Sequence, residues 1–320
     1  MFEVLETTKI VSDKSDHVCI AEDAADRFVQ MLLKESFQLP AWDSRYHLQA
    51  KPEEMIAYLL VLDTLNFCFW PLEGRPRWEV EYDSTRLSGY YALAAALKMA
   101  FERGIPLHDA TFLATLTTAQ LKEILGGQGE LPLLRERVQN LNELGQVLLA
   151  DYGGKAHWLV AAAGGSAPRL ARLLANKFSS FRDEAVFKDQ KIFFYKRAQI
   201  FAADINKALA GQSWGDLEKM DGLTAFADYK LPQVLRHLGI LRYQEELARK
   251  IDQKIPLAPG CPEEVEIRAN TVQAVELIRQ KIAAQGKKLN ASEIDAILWH
   301  LGQNDVYRLK PYHRTSTLFY

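Results

Sequence analysis

Helical periodicity is the feature of this sequence that most limits its fold. In KLPQVLRHLG the four apolar residues from Leu231 to Leu238 fall at the i, i+3, i+4 and i+7 positions of one helix face. The same spacing predicts ten helices, over roughly 21–35, 52–62, 88–103, 132–150, 167–176, 193–210, 230–239, 243–253, 262–284 and 291–303. Because such helices bury their apolar faces against one another, we predict a mainly α fold.

Strand signals are few. NFCFW (66–70) and RWEVEY (77–82) flank the turn-forming residues LEGRP, and this arrangement predicts a β-hairpin. The tail STLFY is expected to be extended. There is no internal repeat, and the glycine-rich stretches GGQGE and GGSAP are too short to link domains. We therefore predict a single helical domain over residues 1–320 with a small β element.

Local capping signals support several of the predicted helix starts. Ser166 suits an N-cap, and Pro168 suits the first turn of the helix in SAPRLARLL. Asn290 and Glu293 in NASEIDAIL have the spacing of a capping box.

The charge balance bears on the partners of this protein. The formal net charge is −2, and no run of five or more Lys or Arg occurs. Proteins that bind long nucleic acids usually carry a basic surplus, so we expect no long nucleic acid as a partner. No apolar run of about 18 residues occurs, so no membrane span is expected. MFEVLETTKI lacks the basic-then-apolar order of a signal peptide, which favours a cytoplasmic location.

Metal and cofactor motifs are missing from the sequence. The three cysteines are widely spaced and odd in number, which argues against a disulfide framework and fits a reducing compartment. None of the seven histidines belongs to an HxxxH or HExxH motif, and there is no P-loop and no GxSxG elbow. We expect neither a metal nor a cofactor.

An aspartate between aromatic residues marks the start of one predicted helix. In TAFADYKLPQ, Asp228 follows Phe226 and precedes Tyr229. A helix N-terminus stabilises negative charge, so this carboxylate is expected to be ionised near pH 7. An ionised carboxylate in an aromatic-walled pocket suits a developing oxocarbenium ion, the cation formed when a glycosidic bond breaks. An ordinary helix cap explains the same pattern, and the residues alone do not choose between the two roles.

The segment FFYKRAQIFAADINKAL carries three more charged residues of interest. Asp204 lies in an apolar helical pattern, where an aspartate is exposed, paired with a base, or functional. Lys196 and Arg197 are ordinarily surface residues. If they point into a pocket, they suit a phosphate group.

Several long strings together resemble the queuosine salvage family. They are LNFCFWP (65–71), SGYYALAAALKMAFERGIPL (88–107), FYKRAQIFAADI (194–205), MDGLTAFADYKLPQVLRHLGILRY (220–243), EEVEIRANTVQAVELIR (263–279) and the closing PYHRTSTLFY. The resemblance implies an enzyme that hydrolyses the N-glycosidic bond of queuosine 5′-phosphate and frees queuine. It also implies a single, mainly helical fold related to helical DNA glycosylases.

The resemblance also implies roles for particular residues. The family's catalytic aspartate lies in its FADY motif, which corresponds to Asp228, and Phe226 of the same motif is expected to contact the base. A family histidine that precedes LNFCFW corresponds to His47. The base-contacting positions near the C-terminus fall in EIDAILWHLGQND, where His300 and Leu301 stand in place of the Asp and Tyr of some members.

Substrate chemistry extends these expectations. Queuine is a 7-deazaguanine, so one ring nitrogen whose protonation activates ordinary purines is replaced by carbon, and more of the catalysis falls on the sugar side. Asp305 is expected to keep an acidic position that pairs with the amine of the queuine side arm or with the base edge. Lys196 and Arg197 are the candidates for the 5′-phosphate. We expect queuosine 5′-phosphate as substrate, queuine as product, and a monomer.

Three other functions compete with this one. A glycosylase acting on a base within DNA or RNA predicts a basic face, which a net charge of −2 does not favour. A non-catalytic module would bind the modified nucleoside or base without turnover. A helical scaffold protein would use Asp228 only as a cap and the aromatic residues only as core.

Overall fold

The structure is a computed structural model, and it describes residues 3–34, 39–71, 73–212 and 214–320. These residues form fourteen α-helices and three short 3-10 helices. The α-helices are α1 (Glu3–Asp13), α2 (Glu22–Lys34), α3 (Pro52–Leu65), α4 (Tyr90–Glu102), α5 (Ala110–Thr115), α6 (Thr118–Leu125), α7 (Leu134–Asp151), α8 (Ala156–Ala162), α9 (Ala167–Lys177), α10 (Lys196–Ala208), α11 (Lys230–His237), α12 (Glu245–Asp252), α13 (Pro262–Ala284) and α14 (Ala291–Leu301). The 3-10 helices are Ser179–Phe181, Met220–Gly222 and Asp305–Arg308.

The mainly α fold predicted from the periodicity is confirmed. All ten predicted helices are present with similar bounds, and they correspond to α2, α3, α4, α7 and α9–α14. Helices α1, α5, α6 and α8 were not predicted. Three of these span only six to eight residues, and α1 buries little more than Val4, Thr8 and Val11, so each shows too few apolar repeats to stand out.

The capping predictions have mixed outcomes. Asn290 and Glu293 form the predicted capping box at the start of α14, with both reciprocal bonds present. Ser166 is the N-cap residue of α9, and a proline lies in the first turn, but the Ser166 side chain makes no capping bond.

Six short strands form three separate antiparallel pairs. The strands are β1 (Val18–Ile20), β2 (Glu79–Tyr82), β3 (Thr85–Ser88), β4 (Glu184–Phe187), β5 (Gln190–Phe193) and β6 (Leu241–Tyr243). β1 pairs with β6, β2 with β3, and β4 with β5. The two hairpins close through Asp83–Ser84 and Lys188–Asp189, and all four turn residues have positive φ, as type I′ turns require.

The prediction that 66–70 pairs with 77–82 in a hairpin is wrong. β2 turns forward through Asp83 and Ser84 and pairs with β3 instead. The segment after α3 is buried irregular chain, and the guanidinium of Arg137 donates hydrogen bonds to the carbonyls of Leu65, Phe67 and Cys68. The tail STLFY forms no strand; its Tyr320 carbonyl accepts a single bond from the Cys68 N–H at 2.9 Å.

Two hydrophobic clusters organise the helices. The larger cluster contains apolar residues of α1 and α3–α10, and the smaller one contains those of α2, α11, α12 and α14 with β1 and β6. Helix α13 contributes to both, because Val265 and Ala269 pack in the larger cluster and Ile267 and Ile278 in the smaller one. A helix buried on several sides in this way ties the two clusters together.

No helix in the described ranges has both the length and the apolar character needed to cross a membrane.

Candidate active site

A cavity of about 1050 Å³ lies where elements of the two clusters meet. Its volume suits a ligand of nucleotide size. Helices α4, α10, α11 and α14 line it, together with parts of residues 40–47 and 308–314. The aromatic lining residues include Trp42, Phe69, Tyr90, Tyr229, Trp299 and Tyr312.

Asp228 lies in this cavity at the start of α11. It is 7% exposed, and its Oδ1 accepts hydrogen bonds from the backbone N–H groups of Lys230 at 2.7 Å and Leu231 at 2.9 Å. Its Oδ2 receives no hydrogen bond from the part of the chain that the structure describes. Burial raises the pKa of the Asp228 carboxyl above its usual range, while the charge of Lys196 and the two N–H donors oppose the increase. One oxygen therefore caps the helix and leaves the other for a ligand.

The backbone just before Asp228 is fixed by two buried side chains. The N–H of Phe226 donates to Asp295 Oδ1 at 2.7 Å, and the Ala227 carbonyl accepts from Arg268 Nε at 3.1 Å. Arg268 in turn forms a bidentate pair with Asp183, at 2.9 and 2.6 Å. These contacts hold Phe226 and Asp228 at the cavity wall in a segment that has no regular secondary structure.

Lys196 begins the face of α10 that lines the cavity. Ile200, Asp204 and Lys207 share this face, at i+4, i+8 and i+11 from Lys196. Lys196 is buried, and burial lowers the pKa of its ammonium, while the carboxylates of Asp228, Asp63 and Asp295 raise it. Lys196 therefore acts first as a counter-ion to buried acids.

Arg197 does not line the cavity, contrary to the expectation that it points into a pocket. Its side chain is 1% exposed and donates to the carbonyls of Asp63 and Thr64, both at 2.7 Å, and to the carbonyl of Ser180. Because consecutive helix residues point about 100° apart, the Lys196 side chain points to the cavity and the Arg197 side chain points into the core. We correct the phosphate assignment for Arg197 because its guanidinium already binds backbone.

Asp204 has an unusual environment for a cavity residue. Its Oδ2 is buried and makes no hydrogen bond within the described ranges. Burial raises the pKa of Asp204 to about 7, despite the opposing charges of Lys207 and Lys196. The carboxyl is therefore close to balance between its charged and neutral forms, and a bound cation would shift it to the charged form.

His47 lines the cavity as a neutral imidazole. Its Nδ1 lies 2.7 Å from the Asp43 carbonyl, and its Nε2 lies 2.8 Å from the Tyr90 hydroxyl. A carbonyl only accepts, so Nδ1 carries the proton and Nε2 accepts from Tyr90. Burial lowers the pKa of His47, which agrees with this neutral form. The Tyr90 oxygen keeps a lone pair that a ligand donor is able to use.

The predicted residues near the C-terminus separate into two groups. His300 lines the cavity on α14. Leu301 does not, because it lies on another face of α14 and packs against the smaller cluster. Asp305 does not either: its side chain is 97% exposed, and it pairs with Arg308 at 3.4 Å outside the cavity lining. The structure thus gives no support for Leu301 or Asp305 as ligand contacts.

Asp295 is a cavity residue that the sequence motifs did not single out. It is buried on α14, lines the cavity and accepts the Phe226 N–H. Burial raises the pKa of Asp295 well above its usual range, and the nearby charge of Asp228 raises it further. Burial and the charge of Asp228 therefore both favour the protonated form of Asp295, which has one O–H to donate. Its sequence signal is an aspartate within the apolar pattern of EIDAIL.

No group of three or more His, Cys, Asp or Glu side chains in the described ranges is arranged to hold a metal ion.

Comparisons with known proteins all match this chain to one protein family. A sequence profile described as queuosine salvage protein matches residues 46–320. A relative from Sphaerobacter thermophilus is 43% identical over 317 residues, covering 99% of this chain and 97% of the relative. A relative from Mus musculus is 34% identical, with 98% of each chain covered, and one from Schizosaccharomyces pombe is 30% identical, with 95% and 92% covered. All three relatives are named queuosine 5′-phosphate N-glycosylase/hydrolase.

Proposed function

The chain belongs to the queuosine salvage protein family, and we propose from this premise how its cavity performs the reaction for which the relatives are named. The protein is an N-glycosyl hydrolase that acts on queuosine 5′-phosphate and releases queuine for salvage. The bond between the anomeric carbon and the base nitrogen breaks, and its electron pair leaves with the base. Water supplies the hydroxyl of the ribose 5-phosphate product and the proton of free queuine.

The position of Asp228 carries the mechanistic proposal. Its Oδ1 is held by two backbone N–H groups, its Oδ2 accepts no hydrogen bond from the described residues, and the residue lines a cavity with aromatic walls. Positive charge develops on the ribose as the glycosidic bond breaks, and a fixed carboxylate stabilises that charge or attacks the anomeric carbon. Lys196 favours the ionised form of Asp228 in spite of burial. Asp228 is therefore the proposed catalytic residue.

Asp295 serves the base side in this proposal. The guanine-like edge of queuine offers both donors and acceptors, and a carboxylic acid both accepts and donates. Negative charge grows on the departing base, so a hydrogen bond donated by Asp295 strengthens in the transition state. Phe226 contributes its ring to the same wall. This arrangement fits a 7-deazapurine, because it needs no proton on the ring position where queuine has carbon.

His47 and Tyr90 are proposed to contact the ligand as a pair. Both ring nitrogens of His47 are already bonded, so the imidazole orients the Tyr90 hydroxyl, and both side chains line the cavity. His300 lines the same cavity and is proposed as a further contact of the ligand.

Asp204, rather than Asp305, is proposed to pair with the cationic amine of the queuine side arm. Replacing Asp204 with asparagine should lower kcat/KM for queuosine 5′-phosphate on the order of tenfold, since a hydrogen bond to a charged group contributes about 1.5–3 kcal/mol. Activity on 7-deazaguanosine 5′-phosphate, which lacks the side arm, should change far less. Steady-state kinetics on both nucleotides measures the difference.

The matched control for this prediction is Asp305→Asn, which removes an exposed carboxylate outside the cavity. It should leave kcat/KM near the wild-type value. A loss in Asp305→Asn together with unchanged kinetics in Asp204→Asn would restore the assignment made from the sequence.

The activity is tested with purified protein and two nucleotides. Incubation with queuosine 5′-phosphate should release queuine, detected by liquid chromatography with mass detection, and incubation with guanosine 5′-phosphate should release nothing. Binding of queuine without release from either nucleotide would favour the non-catalytic module. Cleavage of a base within an oligonucleotide would favour the nucleic-acid glycosylase. The monomeric state and the cytoplasmic location stay predictions from the sequence.

A further inference from the structure

Three cations from separate parts of the chain line the cavity close to Asp228. Arg77 lies just before β2, Lys230 is the first residue of α11, and Arg308 ends the last 3-10 helix. Lys230 is two residues from Asp228, and its own N–H donates to the Asp228 carboxylate. The segment that fixes the proposed catalytic group therefore also fixes this cation.

An aromatic ring organises the same end of the cavity. The Lys230 ammonium lies 5.7 Å from the centroid of the Tyr312 ring. The Arg314 guanidinium approaches that ring at 6.0 Å, and Tyr312 packs against Tyr229 with ring centroids 4.9 Å apart. These rings restrict the side chains without offering a counter-charge.

Little negative charge balances these cations. Arg77 and Lys230 form no ion pair with any residue that the structure describes. Arg308 pairs with the exposed Asp305 at 3.4 Å, and it also donates to the Gly302 carbonyl at 2.9 Å and to Gln303 Oε1 at 3.2 Å. Asp252 also lines the cavity, but Arg236 occupies its carboxylate through bonds of 2.7 and 3.0 Å. Burial lowers the pKa of Lys230 to about 8, and the charges of Arg308 and Arg77 contribute to the decrease. Like charges held together in this way favour an anionic ligand.

Lys196 is less suited to that ligand. The Lys196 ammonium is buried and already serves as a counter-ion of Asp228, with the carboxyl groups of Asp63 and Asp295 nearby. An incoming phosphate dianion would have to compete with Asp228 for this ammonium. Near Arg77, Lys230 and Arg308 the described acids are Asp228, the exposed Asp305, and Asp252, whose carboxylate Arg236 already binds.

We propose that Arg77, Lys230 and Arg308 form the subsite for the 5′-phosphate of the substrate. The inference rests on the proposed function, because it assumes that Asp228 faces the anomeric carbon. In the substrate the phosphate is only a few bonds from the anomeric carbon. In the protein Lys230 is only two residues from Asp228, so a phosphate bound near Lys230 suits an anomeric carbon bound near Asp228. Arginine side chains bind phosphate through paired N–H donors, and lysine adds a point charge.

The test compares the nucleotide with its nucleoside. The variants Arg77→Gln, Lys230→Gln and Arg308→Gln are each assayed on queuosine 5′-phosphate and on queuosine. Each should lower kcat/KM for queuosine 5′-phosphate, relative to kcat/KM for queuosine, at least about tenfold, because only the nucleotide loses a charge-assisted contact. Lys310→Gln is the matched control, since Lys310 is exposed and does not line the cavity. It should leave both kcat/KM values unchanged.

A second readout is independent of turnover. Ribose 5-phosphate carries the same phosphate without the base, and calorimetry should show its affinity falling about tenfold or more in Arg77→Gln and Lys230→Gln. The proposal is overturned if the kinetic ratio and this affinity stay at wild-type values in those variants. It is also overturned if Lys196→Gln alone lowers both. Wild-type protein that binds ribose 5-phosphate through these residues but releases no queuine would refute the proposed function and leave the subsite supported.

Discussion

Replacing Asp228 with asparagine should lower kcat for queuosine 5′-phosphate by about 10³-fold or more while leaving the fold intact. The amide oxygen of asparagine still accepts the N–H groups of Lys230 and Leu231, and asparagine caps helices as well as aspartate does. The change therefore removes the negative charge and little else. Loss of one preorganised electrostatic contact at a reacting centre typically costs about 10²–10³-fold, and loss of a nucleophile costs more.

A similar substitution on the surface serves as the control. Asp109 is the N-cap of α5 and accepts the Thr111 N–H at 2.8 Å, outside the cavity lining. Asp109→Asn should change neither turnover nor thermal stability. Queuine binding, followed by calorimetry, should persist in Asp228→Asn. Turnover near the wild-type value in that variant would assign Asp228 to helix capping alone.

Local information explains why most of the helices were predictable. An apolar stripe over ten or more residues is visible without knowledge of the fold, and it located α13 with the bounds that the structure has. The hairpin failed because its partner depends on a two-residue turn. Asp83 and Ser84 adopt positive φ there, and Ser84 stands at the position where glycine usually marks such a turn.

The site was predictable where a sequence motif or a position in a helix singled out a residue. Asp228, Phe226, Lys196, His47 and His300 all line the cavity. Their roles stay predictions, since position alone does not establish chemistry.

The sequence did not predict which of two consecutive helix residues faces the cavity. Arg197 follows Lys196 but points into the core, and Leu301 follows His300 but faces the smaller cluster. The sequence does not predict the cations of the proposed phosphate subsite, because Arg77 and Arg308 are far apart in the chain. Only the fold brings them to one cavity.

Replacing Arg268 with methionine should destabilise the protein by about 3–5 kcal/mol, the usual result of breaking a buried ion pair by removing one partner. Arg268 and Asp183 have side chains only 3% and 2% exposed, and they are joined by two hydrogen bonds. The guanidinium also packs on the rings of Phe194 and Tyr320, at 3.9 and 4.3 Å from their centroids. Urea unfolding, followed by circular dichroism, measures the loss.

Helix α13 contains its own control for this prediction. Arg279 pairs with Glu276 one turn away, but its side chain is 35% exposed, so Arg279→Met should cost no more than about 1 kcal/mol. Arg268 also holds the Ala227 carbonyl beside Asp228, and folded Arg268→Met protein should therefore lose activity as well. Equal destabilisation by the two substitutions would show that the buried pair is not what fixes this segment. Asp228 would then owe its position to the helix cap and to the bond between Phe226 and Asp295.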